Sequence, residues 1–114
     1  MGRFEDLEVW QRSSRLCVQI YKGLAHCKDF GFRDQITRSS LSIPSNIAEG
    51  FERSSDKDSS KFFYYAKGSC GELRTQIYIG IEIGYLDKET GWSWKNEAEQ
   101  LSKMLAALIK ARSP

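Results

Sequence analysis

The sequence contains a single histidine, and this scarcity excludes several kinds of catalytic site. A HExxH zinc site needs two histidines, and no Ser-His-Asp arrangement is recognisable around His26. The helical carboxylates Glu49, Glu72 and Glu82 lack the Glu-x-x-His partners of a di-metal bundle. The glycines lack the lysine and hydroxyl of a phosphate loop. We therefore predict no enzyme activity, no catalytic residue, no metal ion and no cofactor.

Cysteines and long apolar runs are also scarce. Cys17, Cys27 and Cys70 form an odd number and have neither CxxC nor CxxH spacing. This pattern suggests neither a disulfide framework nor a zinc site, so reduced thiols are predicted. No apolar run approaches the length of a membrane span, and residues 1–10 lack a signal-peptide core. These absences predict a cytoplasmic protein without a membrane partner.

Positive and negative charges are nearly balanced, with 17 basic and 15 acidic residues and a formal net charge of +2. Such a chain has no strong bulk field that would point to nucleic acid. Only two prolines and a charged fraction of 28% fit an ordered helical protein. The length of 114 residues predicts one domain, residues 1–114, with its own core.

The segment RSSLSIPSNIAEG at residues 38–50 carries the main apolar pattern of the chain. Its large apolar residues recur every three or four positions, as in a helix that is covered on more than one side. Pro44 has two interpretations: it ends one helix and a polar residue caps the next, or it lies within one kinked helix. The unbroken apolar spacing favours the single helix, in which Ser40, Ser42 and Ser45 satisfy the carbonyl that Pro44 leaves free or hold a water there.

Helical periodicity predicts four helices joined by short polar connections. They span about residues 6–25, 32–53, 56–83 and 87–112, without a strand pattern or a repeat. This order predicts an all-α, antiparallel, up-down-up-down four-helix bundle. Gly31 is expected in the first loop, because it permits a turn that a helix interior would not choose. Close backbone approach is expected at the glycines of the third helix, with the last as its cap: Gly68, Gly71, Gly80 and Gly84.

The second and third helices carry more apolar surface than one bundle can cover. Beyond its main stripe, the third helix has a patch on its far side, and the second helix has a second apolar line. Such surplus indicates packing against a neighbouring subunit. The predicted oligomer-interface residues are Tyr65, Ile79, Ile83, Leu41 and Phe51.

Several basic residues share helix faces. In one copy these are ordinary solvated charges, but a ring of identical subunits repeats each of them around its axis. A modest net charge then becomes a concentrated basic surface of the kind that binds nucleic acid. The predicted nucleic-acid-binding residues are Arg12 and Arg15 on the first helix, Arg38 on the second, and Lys67 and Arg74 on the third.

Four segments carry a resemblance to a known family: FEDLEVWQ at 4–11, QITRSS at 35–40, SIPSNIAEG at 42–50 and GSCGEL at 68–73. With them, the chain resembles the bacterial four-helix-bundle family of 23S rRNA intervening-sequence proteins. It is more distantly similar to the accessory variability determinant of diversity-generating retroelements. The resemblance implies a homopentameric barrel of four-helix protomers. It also implies RNA or DNA and a reverse transcriptase as partners, with Arg38, Lys67 and Arg74 as contacts.

Two functions from different classes follow from these patterns. The preferred hypothesis is a non-catalytic homo-oligomer that binds RNA or a nucleic-acid enzyme such as a reverse transcriptase. The alternative is a structural or protein-interaction scaffold without affinity for nucleic acid. An enzyme would require a convergent pocket of perturbed acids, and the sequence does not show one.

Overall fold

The computed structural model describes residues 2–112, which are helical apart from short connections. A 3-10 helix, Phe4–Asp6, precedes four α-helices, which are α1 (Glu8–Gly23), α2 (Phe30–Glu52), α3 (Asp56–Glu82) and α4 (Lys88–Ala111). Helix α1 packs against α2 and α4, and α3 packs against the same two helices, while within residues 2–112 no Cα atom of α1 lies within 8 Å of one in α3. The all-α class and the four helices of a bundle are confirmed.

Each helix contributes large apolar side chains to one continuous core. The burial of such a side chain stabilises the fold by about 1.5–3 kcal/mol, so this core is the main source of stability. Phe63 belongs to this core and is 0% exposed. Others with almost no exposure are Leu16 and Ile20 of α1, Ile36, Ile43 and Ile47 of α2, Leu73 and Ile77 of α3, and Leu101 and Leu105 of α4.

The starts of the three long helices are capped by side chains. The Asp29 carboxylate accepts from the backbone N–H of Phe32 at 3.0 Å, so α2 begins at Phe30. The prediction for Gly31 was therefore wrong, because this residue lies in the first turn of α2 and not in the loop. Equivalent caps come from Ser55 at α3 and Asp87 at α4, and each cap stabilises a helix by about 1 kcal/mol.

A glycine caps the C-terminal end of α3, as the sequence predicts. Gly84 has φ +84°, a left-handed conformation that favours glycine. The backbone N–H of Tyr85 donates to the carbonyl of Gly80 at 2.9 Å, and that of Gly84 donates to the carbonyl of Ile81 at 3.2 Å. This pair of hydrogen bonds is a Schellman motif, which turns the chain sharply towards α4.

Helix α2 is continuous through Pro44, so the prediction of a single helix is confirmed. The hydroxyl of Ser40 donates to the carbonyl of Thr37 at 2.8 Å, and that of Ser42 donates to the carbonyl of Ser39 at 2.8 Å. These two serines thus bond to carbonyls one turn back. The expectation that they satisfy the carbonyl left free by Pro44 was wrong.

The glycines of α3 fall into two groups. A Cβ added at Gly80 would lie 2.9 Å from the ring of Phe32 and 3.0 Å from Leu86, so the close approach predicted there is confirmed. A Cβ added at Gly68 or Gly71 would meet no atom within 4 Å. The prediction of close approach was wrong for these two within a single copy, because they leave bare backbone on an open surface.

Candidate nucleic-acid interface

The structure distributes the five predicted nucleic-acid-binding residues over several faces of one copy. Within residues 2–112 no Cα atom of α1 lies within 8 Å of one in α3, so the two helices are not adjacent in the bundle and their outward-pointing basic side chains lie on different faces. Arg15 and Arg38 are exposed, and no ion pair is recorded for either in the described residues. The positions are Arg12 and Arg15 on α1, Arg38 on α2, and Lys67 and Arg74 on α3.

Arg12 is engaged in a two-pronged ion pair that joins α1 to α4. Its Nε donates to Oε2 of Glu97 at 2.9 Å, and its Nη2 donates to Oε1 of the same carboxylate at 2.6 Å. Glu8 lies at 3.5 Å as a second acidic partner. This hydrogen bonding raises the pKa of Arg12 and lowers the pKa of Glu97. The guanidinium is therefore already paired in the folded chain.

The ion pair makes stability depend on pH. Because the folded chain lowers the pKa of Glu97 below its ordinary value of 4.5, the pair stabilises the fold above that pH and loses its effect as the pH falls through the lowered pKa. Glu97→Gln removes this titration. We expect the variant to be less stable by on the order of 1 kcal/mol at neutral pH, with the difference shrinking in acid. Urea unfolding across the pH range measures it.

Glu8→Gln is the matched control for this experiment, because the Glu8 side chain is 71% exposed and makes only the longer contact with Arg12. It should follow the wild type at every pH. If Glu97→Gln and wild type lost stability in parallel on acidification, the ion pair would not contribute.

Arg74 also faces α4, where its Nη2 lies 3.4 Å from Oε2 of Glu99. Lys95 of α4 approaches the other oxygen of Glu99 at 3.8 Å. The Nε atom of Arg74 is buried and has no hydrogen-bond partner in the structure. One carboxylate thus serves two cations, and the surroundings of Glu99 retain a net positive charge.

Lys67 lies beside a lysine that the sequence analysis did not select as a contact. A groove of about 370 Å³ between α3 and α4 is lined by Lys67 and Lys110, and Tyr64 is a further lining residue. Lys103 precedes Lys110 by seven residues and is exposed, so it lies on the same side of α4. In the sequence, lysine recurs every seven or eight positions on α4, and this spacing was the signal that could have predicted a row of lysines there.

These contacts define a surface that we call the α3–α4 basic face. Its cations come from two neighbouring helices, and the acid that the structure places among them is Glu99. A stripe of cations on one side of a protein attracts phosphate even when its total charge is small. The members are Lys67, Arg74, Lys95, Lys103 and Lys110.

Two exposed aromatic rings adjoin the basic face. The ring centroids of Tyr78 and Trp92 are 5.8 Å apart, and the two side chains are 41% and 45% exposed. The ammonium of Lys95 lies 5.3 Å from the centroid of the Trp92 ring. Exposed aromatic rings beside cations are characteristic of surfaces that bind single-stranded nucleic acid. The sequence analysis did not select Trp92 as a binding residue, although a tryptophan on the polar side of α4 indicates an exposed ring.

The predicted interface residues lie on two sides of the molecule. On α3, Tyr65, Ile79 and Ile83 are 49%, 49% and 52% exposed, and we call them the α3 patch. On α2, Leu41 is 48% exposed and Phe51 is half-buried, and we call this pair the α2 patch.

The two patches are separated because α2 turns its Ser39 side towards α3. The Ser39 hydroxyl donates to Oε1 of Gln76 on α3. Leu41 is two residues further along the helix and hence about 200° around it. The α2 patch therefore points away from the helix that carries the α3 patch.

Other kinds of site find little support in the part of the chain that the structure describes. Residues 2–112 contain no group of three His, Cys, Asp or Glu side chains placed to hold a metal ion. No helix within the same range is long and apolar enough to cross a membrane. All three cysteines are free, and burial raises the pKa of Cys70 to about 12. That thiol is therefore protonated and unreactive at neutral pH.

Comparison with known proteins places the chain in a family. A family model described as 23S rRNA-intervening sequence protein matches residues 5–107. A protein of unknown function from the S23 ribosomal protein family of Bacteroides thetaiotaomicron VPI-5482 has a similar crystal structure. Its TM-score is 0.84 at 29% sequence identity, and the match covers 90% of this chain and 98% of that chain. No curated protein matches. Because the family model spans nearly the whole sequence, this chain belongs to the 23S rRNA-intervening sequence protein family.

Proposed function

We propose that this protein is a non-catalytic, self-associating helical bundle that binds RNA through its α3–α4 basic face. The observation that carries the proposal is the row of cations along α3 and α4, in which Glu99 alone serves both Arg74 and Lys95. The neighbouring rings of Tyr78 and Trp92 add a surface on which bases can stack.

Self-association is proposed because the apolar surplus lies in two separate patches. The α3 patch of one copy can cover the α2 patch of the next, which is a head-to-tail contact. Repeated with a fixed rotation, such a contact closes a ring of antiparallel bundles, and the family resemblance implies five copies. Each subunit of the ring presents its own basic face. The number of phosphate contacts therefore grows with the number of subunits, although the net charge of each chain stays small.

The competing function is a scaffold that binds proteins and has no affinity for nucleic acid. The same two patches would favour it if a different protein covered them. A reverse transcriptase is a partner compatible with either function, since it could use the apolar patches or be bridged by a shared nucleic acid. Direct measurement of RNA binding by the purified protein separates the two functions.

The expected result is salt-dependent binding of single-stranded RNA that requires the basic face. Replacing Lys67, Lys103 and Lys110 together by Ala removes three cations that could contact phosphates. Since each phosphate contact adds about −0.7 to the slope of log affinity against log salt, the slope should become shallower by about 2. Affinity near 100 mM salt should fall by about tenfold or more. Fluorescence anisotropy of a labelled RNA measures both quantities.

A matched control carries the same change of charge elsewhere. The control positions are three exposed lysines away from the basic face, which are Lys22 in α1, Lys28 in the loop before α2 and Lys57 in the first turn of α3. Their triple replacement by Ala should leave the salt slope nearly unchanged. An equal effect of both triple variants would refute the basic face as the binding surface. Absence of RNA binding by the wild type would refute the proposed function and favour the scaffold.

A further inference from the structure

A second, larger groove lies on the other flank of α4, between α4 and α1. Its volume is about 740 Å³, which is within the range of sites that take small organic groups. Arg12 and Glu97 join the two helices within this groove through their ion pair. The side chains that matter for recognition are Arg15 and Gln19 from α1, and Trp92, Asn96 and Gln100 from α4.

The charges of this groove are almost balanced. Arg12 is paired with Glu97, whose pKa is lowered mainly by that hydrogen bond, and Arg15 adds a smaller electrostatic effect in the same direction. Glu89 also lines the groove, so the two arginines there are matched by two glutamates. A site with this balance is suited to a neutral polar group and does not act as a phosphate trap.

Three side-chain amides converge on the groove. Gln19, Asn96 and Gln100 are exposed, and no hydrogen bond is recorded for them in the described part of the chain. An amide offers two donors and one acceptor oxygen, which is the combination found on the edges of nucleobases. Asn96 and Gln100 are one helical turn apart on α4, so their amides lie side by side.

Trp92 connects the groove to the basic face. Its side chain lines the groove and also contacts the ring of Tyr78 and the ammonium of Lys95. A strand whose phosphates follow the α3–α4 basic face would therefore pass Trp92 before it reached the amides. Unpaired bases are commonly held by stacking on an aromatic ring or a guanidinium plane and by hydrogen bonds to their polar edges.

We propose that the α1–α4 groove binds one unpaired nucleobase of a single-stranded RNA whose backbone lies on the α3–α4 basic face. This inference rests on the proposed function and specifies the form of its ligand. The base stacks against Trp92, and the amides of Gln19, Asn96 and Gln100 bond to its polar edge.

The test compares single-stranded RNA with an RNA duplex of the same length, because a duplex carries phosphates but no free base. Wild type should bind the single strand at least about tenfold more tightly, as expected from one stacked and hydrogen-bonded base. Gln19→Leu combined with Asn96→Leu should remove most of that preference and leave duplex binding unchanged. Gln35→Leu, at an exposed position of α2, is the matched control and should retain the preference.

Trp92→Leu provides an independent measurement, since single-stranded RNA should quench tryptophan fluorescence in the wild type and much less in this variant. Circular dichroism verifies that each variant remains helical. Two results would contradict the groove as a base-binding site. One is equal binding of single strand and duplex by the wild type, and the other is an unchanged preference for the single strand in both the double variant and Trp92→Leu. Salt-dependent binding that still requires the lysines would then leave the proposed function standing, whereas no RNA binding would overturn both.

Discussion

Ile79→Glu is expected to convert the assembled protein into single, folded copies. Ile79 is half-exposed on α3, between Tyr65 and Ile83, and it does not belong to the core of its own bundle. A carboxylate placed in an apolar contact between copies loses its hydration without gaining a partner, and association becomes unfavourable. Helicity should be retained, because the core is untouched. Light scattering gives the mass, and circular dichroism gives the helix content.

The controls for this variant test which patches meet. Ala107→Glu adds the same charge to an exposed position of α4 and should leave the assembly intact. Leu41→Glu, in the α2 patch, should also give single copies. A mixture of Ile79→Glu and Leu41→Glu should form pairs, because each variant keeps the patch that the other has lost. Unchanged assembly of Ile79→Glu would show that α3 does not carry the contact.

Phe63→Ala is expected to cause the largest loss of stability of any single truncation in the core. The ring is completely buried and lies so close to Gly50 that a Cβ there would be 2.7 Å from it. Removal of a buried phenyl ring costs about 3–5 kcal/mol, which is much of the 5–15 kcal/mol that stabilises a typical domain. Urea unfolding followed by circular dichroism measures the change in the free energy of unfolding.

Phe62→Ala is the matched control, because the same ring is removed from the adjacent, half-buried position of α3. Phe62 contacts Tyr65 edge-on at 5.5 Å between centroids and lies beneath the guanidinium of Arg53 at 4.6 Å. We expect a loss of only about 1 kcal/mol. Equal losses for the two variants would contradict the assignment of Phe63, and not Phe62, to the buried core.

Most of the fold could be predicted because it depends on local patterns. The spacing of apolar residues located all four helices, and the chemistry of Asp87 and Gly84 located a helix start and a helix end. The error at Gly31 arose because a glycine was given more weight than the cap at Asp29, which starts α2 ahead of it. Residue type alone does not distinguish Phe62, which is half-buried, from Phe63, which α3 turns to the core.

Much less of the candidate site could be predicted, because charge pairing depends on partners far away in the sequence. Arg12 looked like a free cation, but its partner Glu97 is 85 residues further along the chain. Lys67 was selected for its place on α3, whereas the structure puts Lys110 of α4 beside it. Periodicity shows which side of a helix is polar, and it does not show which polar side chains of two helices meet.

The two arginine contacts on α4 have a mechanical consequence. Arg12 holds Glu97 from α1, and Arg74 holds Glu99 from α3. These glutamates are two residues apart and hence about 200° apart around the helix, so the contacts act on opposite flanks. Any swivel of α4 about its own axis stretches one arginine contact or the other. The two contacts therefore oppose rotation of α4 about its own axis, and this resistance helps to preserve the angle between the two grooves beside it.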